Sequence, residues 1–115
     1  MKRILFILTL FFFALSANAG PSLTPEEKYD LGLKYLKRGN YQKALEQFNH
    51  IRNFYCDDPL AIEAELSIAD LYFKKSEWDQ ARVYYDEFQR RYPTHPKIDY
   101  VTFKLGLCYY KKSPK

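Results

Sequence analysis

The sequence predicts an all-α fold, a right-handed superhelical stack of about two and a half helix–turn–helix repeats. Three observations carry this. One residue pattern recurs at a fixed period, helix start and stop signals fall at matching places in each period, and no segment shows sustained strand alternation.

The period is 37 residues. Leu31-Gly32-x-x-Tyr35, Ile68-Ala69-x-x-Tyr72 and Leu105-Gly106-x-x-Tyr109 superpose at that shift. Each has a large apolar residue, a small one and a tyrosine. The second half of each unit repeats too: Asn40-Tyr41-Gln42-Lys43-Ala44 with Phe48 matches Glu77-Trp78-Asp79-Gln80-Ala81 with Tyr85. A small alanine lets two helices approach, and an aromatic four residues later lies on the same face.

The elements follow in order. A first helix is expected over 25–38, because Thr24-Pro25-Glu26-Glu27 is a capping box with proline at the first helical position. Gly39 can end that helix in the left-handed conformation, and Asn40 can cap a second over 41–55. Asp58-Pro59 opens a third over 59–75, and Ser76 with Asp79 repeats the start signal for a fourth over 78–91. Pro93 closes the second unit, and His95-Pro96 opens a fifth helix over 96–112. The fifth is crowded with Val101, Phe103, Leu105, Leu107, Cys108, Tyr109 and Tyr110. It is read either as a terminal cap or as part of a longer array, and its aromatics allow self-association through this last helix.

Residues 1–19 read as a secretory signal peptide, 20–24 as a short segment, and 25–115 as the repeat domain. Met1-Lys2-Arg3 is a positive start, Ile4–Leu15 runs apolar apart from Thr9, and Ala17-Asn18-Ala19 supplies small residues before Gly20. Twelve residues are short for a bilayer, which takes about 20. Without Lys2 and Arg3 the 18 basic side chains fall to 16, against 14 acidic. That near balance gives no case for nucleic acid. Cys56 and Cys108 would enter an oxidising compartment, yet the repeat register separates them; two packed thiols are favoured over a disulfide.

No catalytic constellation appears, and neither a cofactor nor a metal is expected. His50 and His95 are lone histidines, no nucleophile elbow or His-Glu-x-x-His occurs, and Asp57-Asp58 before Pro59 is explained by capping. The chain reads as a non-enzyme. Binding has more to offer, because the first helix of each unit in such a stack lines the concave face. Leu36-Lys37, Phe73-Lys74 and Tyr110-Lys111 recur there, with Leu33, Asp70 and Leu107 one turn earlier and Tyr29, Leu66 and Phe103 a turn before those. They predict an apolar-aromatic groove edged by three lysines, suited to an extended peptide with alternate aromatic side chains and a free carboxylate.

The large-small-x-x-Tyr and Ala-x-x-x-aromatic pattern resembles the tetratricopeptide repeat, whose usual period is about 34 residues. The longer unit is similar to the BamD outer-membrane protein assembly lipoprotein family. The matching stretches are Gly39–Phe48, Phe88–Tyr100 with its Tyr92-Pro93-x-His95-Pro96-x-x-Asp99-Tyr100, and Leu105-Gly106-Leu107. The resemblance covers roughly residues 25–112, the amino-terminal half of a five-repeat family. It implies a periplasmic scaffold that engages unfolded outer-membrane barrels, with most of the docking region for the barrel-assembly complex absent. The family's anchor is a lipidated cysteine after a Leu-Ser-small box; here Leu15-Ser16-Ala17 is followed by Asn18, which removes lipidation. A periplasmic repeat protein coordinating envelope or division machinery, and a structural oligomerisation module, are the other readings.

Overall fold

The computed structural model describes residues 22–114; the leader, its cleavage point and the box ending at Asn18 lie outside the described residues. Five helices follow one another: α1 Pro25–Lys37, α2 Tyr41–Phe54, α3 Pro59–Lys74, α4 Trp78–Arg91 and α5 Ile98–Lys112. There is no strand among the described residues. Each helix packs on the next, and α1 also touches α3 directly, the arrangement of stacked helical hairpins.

Local chemistry sets the ends. Thr24 Oγ1 accepts from Glu27 N at 3.2 Å while Thr24 N donates to Glu27 Oε2 at 3.1 Å, a complete capping box. Asn40 Oδ1 accepts from Lys43 N, and Asp58 Oδ1 accepts from Leu60 N at 2.9 Å. Helices α1 and α3 end alike. Asn40 N donates to Tyr35 O and Gly39 N to Leu36 O, and Glu77 N donates to Tyr72 O and Ser76 N to Phe73 O. Both are Schellman closures, and the recurring tyrosine supplies the carbonyl that closes them.

Two start signals act differently from expectation. Ser76 does not cap α4. It holds the left-handed position of α3's closure, φ 63° beside 77° at Gly39, and Glu77 precedes α4 without a side-chain cap bond. Helix α5 begins at Ile98 rather than 96, because Pro96 and Lys97 form a turn closed by Ile98 N donating to His95 O. His95 still caps: its Nδ1 accepts from Lys97 N at 3.0 Å, as Asp58 Oδ1 does from Leu60 N one period earlier.

Two apolar clusters form the core. One gathers Phe48, Ile51, Ala64, Ile68 and Leu71, and the other Leu66, Ala69, Tyr85, Phe88, Val101 and Cys108. Tyr72 and Tyr84, stacked at 5.3 Å, pack against both. Cys108 is buried and Cys56 exposed, both as free thiols. Buried Ala64 and Val101, and buried Leu71 and Cys108, are equivalent positions that face the preceding hairpin. In α1 those positions hold Glu27 and Lys34, both exposed.

Candidate functional site

The small residue of each first helix defines a stripe aimed at the second helix of the same hairpin. A Cβ on Gly32 would stand 2.6 Å from the Phe48 ring of α2, so that contact needs glycine. Residues three before and four after share this stripe. They are Tyr29 and Leu36 in α1, Leu66 and Phe73 in α3, and Phe103 and Tyr110 in α5. Tyr29 packs on Phe48 at 5.8 Å and its hydroxyl pairs with Ser67 Oγ at 3.3 Å. Leu66 is 3% exposed and offers no surface to a partner. Phe73 lies edge-on to Trp78 at 5.1 Å, and Leu36 is half-buried against the first cluster. In α5 the same stripe is open, with Phe103 at 63% and Tyr110 at 75% exposure.

The other six expected residues lie on the adjacent stripe, one residue further round: Leu33 and Lys37, Asp70 and Lys74, Leu107 and Lys111. This is the face the first helices present side by side. Leu33, Lys37, Lys74 and Lys111 are exposed, while Asp70 and Leu107 are half-buried. Lys74 Nζ donates to Leu36 O at 3.3 Å, and Lys111 Nζ sits 5.2 Å from the Trp78 ring, so each reaches back to the preceding hairpin. Between Trp78, Tyr110, Lys111, Ser113 and Pro114 lies an open cleft of about 380 Å³.

The face is wired across hairpins by contacts that periodicity did not single out, although Asp70 itself is one of the expected residues. Asp70 accepts hydrogen bonds from Tyr85 of α4 and from Tyr100 of α5, the latter at 2.9 Å. Burial pushes its carboxyl above the ordinary range, against those bonds and the charges of Lys104 and Lys97. Burial and then the Asp70 charge raise both tyrosines. Lys104 Nζ stands 3.6 Å from the centre of the Phe73 ring. Lys97 Nζ donates to Glu63 Oε2 at 2.8 Å, and His95 Nε2 meets Glu63 Oε1 at 3.0 Å. Because His95 Nδ1 accepts from a backbone N–H, the ring proton resides on Nε2 and is donated to Glu63. Burial pushes Glu63 up, but Lys97 and His95 outweigh it and leave the carboxyl below its usual value; the Glu63 hydrogen bond raises Lys97.

The signals for these groups are visible in retrospect. His95-Pro96 stands where Asp58-Pro59 does, and Asp70 is an acid in a slot that holds leucine at 33 and 107. Among the described residues no group of three His, Cys, Asp or Glu is placed to hold a metal ion, and no helix is long and apolar enough to cross a membrane. The face offers aromatic edges, lysine cations and a shared carboxylate.

The profile of the YfiO family, described as an outer membrane lipoprotein, matches residues 21–115. The chain belongs to the YfiO family. Among its similar relatives, the outer membrane protein assembly factor BamD of Pasteurella multocida (strain Pm70) is 28% identical over 111 residues, covering 93% of this chain and 42% of the relative. The protein of that name from Helicobacter pylori (strain ATCC 700392 / 26695) is 32% identical over 79 residues, 68% of this chain and 36% of its own. That of Neisseria meningitidis serogroup B (strain ATCC BAA-335 / MC58) is 28% identical over 87 residues, covering 76% and 33%. The chain thus spans less than half the length of these relatives.

Proposed function

We propose that this chain is a non-enzymatic protein-binding scaffold serving outer-membrane protein assembly on the periplasmic side, with residues 1–19 as its export leader. The partner is an extended peptide with alternate aromatic side chains and a terminal carboxylate, the chemistry of a barrel's last strand. The observation that carries this reading is the stripe of Lys37, Lys74 and Lys111 at one-repeat intervals, flanked by Leu33, Leu107 and the Trp78–Tyr110 cleft. Lysines beside aromatic edges favour a carboxylate next to an aromatic side chain. The names of the relatives support the assembly role.

The test is titration of a labelled barrel-terminal peptide against the chain and its Lys74→Glu and Lys111→Glu variants. Each reversal should weaken binding several-fold, since an exposed charge at the rim of an interface is worth roughly 1 kcal/mol. Binding that ignores both reversals, or survives amidation of the peptide's carboxylate unchanged, sinks the reading.

A further inference from the structure

Between α3 and the start of α5, the face of the first helices opens a cleft of about 370 Å³ lined by Leu66, Asp70, Lys97 and Tyr100. That volume is near the lower end for clefts that take small ligands, room for one aromatic side chain. Asp70 lies one helical turn before Lys74, on the lysine stripe itself. Tyr85 and Tyr100 both donate to the same oxygen of Asp70, Oδ1. An ionised carboxylate accepts at both oxygens, with about four lone-pair sites. Oδ2 takes no donor from the chain and still faces open space, because His50 Nδ1 is the only buried side-chain polar atom without a partner among the described residues. Burial outweighs the two tyrosine bonds and keeps the carboxyl above its ordinary range, the mark of a charge short of donors.

We propose that Asp70 Oδ2 accepts the hydroxyl of a tyrosine in the bound peptide, so that this cleft is where the groove prefers tyrosine to phenylalanine. The inference rests on the peptide-binding reading above and names the side chain that one position selects. The carboxylate already takes two phenols at Oδ1, and a third at Oδ2 uses the lone pairs that remain. A cation fits less well. Lys97 is paired with Glu63, and Lys104, over the Phe73 ring, sets its charge against that of Asp70, so no negative surplus draws a lysine or arginine. The walls suit a ring, with the half-open face of Tyr100 and the Lys97 stem on either side and Leu66 only closing the floor. A phenylalanine would cover the same walls, yet it would strip water from Oδ2 and return no hydrogen bond.

For the test, the labelled barrel-terminal peptide is made with tyrosine at every aromatic position, and each tyrosine is then changed singly to phenylalanine. Titrated against the chain purified from producing cells, one of these changes should weaken binding about tenfold, the worth of a hydrogen bond to a charged group. The others should weaken it by less than about twofold. In Asp70→Asn the amide keeps an oxygen for Tyr85 and Tyr100 and turns its NH2 towards the cleft. The penalty at the selected position should then fall to about threefold or less, since a neutral bond is about half as strong. A penalty undiminished in Asp70→Asn overturns the proposal. Peptides that bind, respond to Lys74→Glu and yet ignore every hydroxyl overturn this inference and leave the lysine groove standing. Absence of binding by every peptide overturns both.

Discussion

Ser76 occupies a backbone conformation that suits glycine, and the first hairpin shows what the position prefers by placing Gly39 there. A side chain in the left-handed region costs about 1 kcal/mol. Ser76→Gly should therefore raise the stability of the fold by up to about 1 kcal/mol in urea titration, less the entropy glycine returns to the unfolded chain. Asp70 and Glu63 respond oppositely to acid. The folded chain holds the Asp70 proton more tightly than the unfolded chain, so its charge costs stability at neutral pH. That cost is relieved as pH falls through the raised folded value towards the ordinary 3.8. Glu63 is depressed, so its contribution is complete above the ordinary 4.5 and is lost as pH falls through the lowered folded value. Asp70→Asn keeps an acceptor for Tyr85 and Tyr100. Its melting temperature should equal or exceed the parent's at neutral pH, with the advantage shrinking on acidification. Glu63→Gln should lower the melting temperature at neutral pH and flatten its fall in acid.

At the scale of the helix, one repeat position gives two opposite outcomes. Gly32→Ala forces a methyl into the fully buried Phe48 ring and should cost roughly 1–3 kcal/mol, the range for overpacking. Gly106→Ala meets nothing and should gain up to about 1 kcal/mol from helix propensity. Thermal melts of the two variants check both signs. The helices themselves were legible in the sequence, because Thr24, Asn40 and Asp58 are local caps whose effect needs no tertiary context. Ser76 misled, because serine is a usual helix starter and its left-handed role depends on the closure made by Tyr72 and Phe73. The candidate face was half legible. Lysines 37, 74 and 111 could be placed by period alone. Spacing of three, four and seven, however, admits two neighbouring stripes, and only contact with α4 places Leu66 and Phe73 on the inner-packing one. The Glu63–His95–Lys97 and Asp70–Tyr85–Tyr100 groups join residues 15 to 34 positions apart, so the sequence marks His95 and Asp70 as unusual while only the fold shows what they meet.

Across the whole molecule, the two apolar clusters communicate through Tyr72 and Tyr84. In a stack, stability is close to a sum of unit and neighbour terms, so this stack of rings sets how far the hairpins unfold together. Tyr84→Ala should reduce cooperativity as well as stability. Trp78, the single tryptophan, reports on the second hairpin, and its fluorescence midpoint in urea should separate from that of far-UV circular dichroism. Coincident midpoints in the variant would show that the clusters are coupled by another route. The equivalent positions of Glu27, Ala64 and Val101, and of Lys34, Leu71 and Cys108, carry an implication for how such a chain can lengthen. A duplication that copied α3 and α4 in tandem would place Ala64 and Leu71 against a ready-made neighbour and extend the array at once. A duplication of α1 and α2 would drive a glutamate and a lysine into an apolar seam, where unpaired charge is costly. The second hairpin is heritable as a spare part, and the first can only ever be used once.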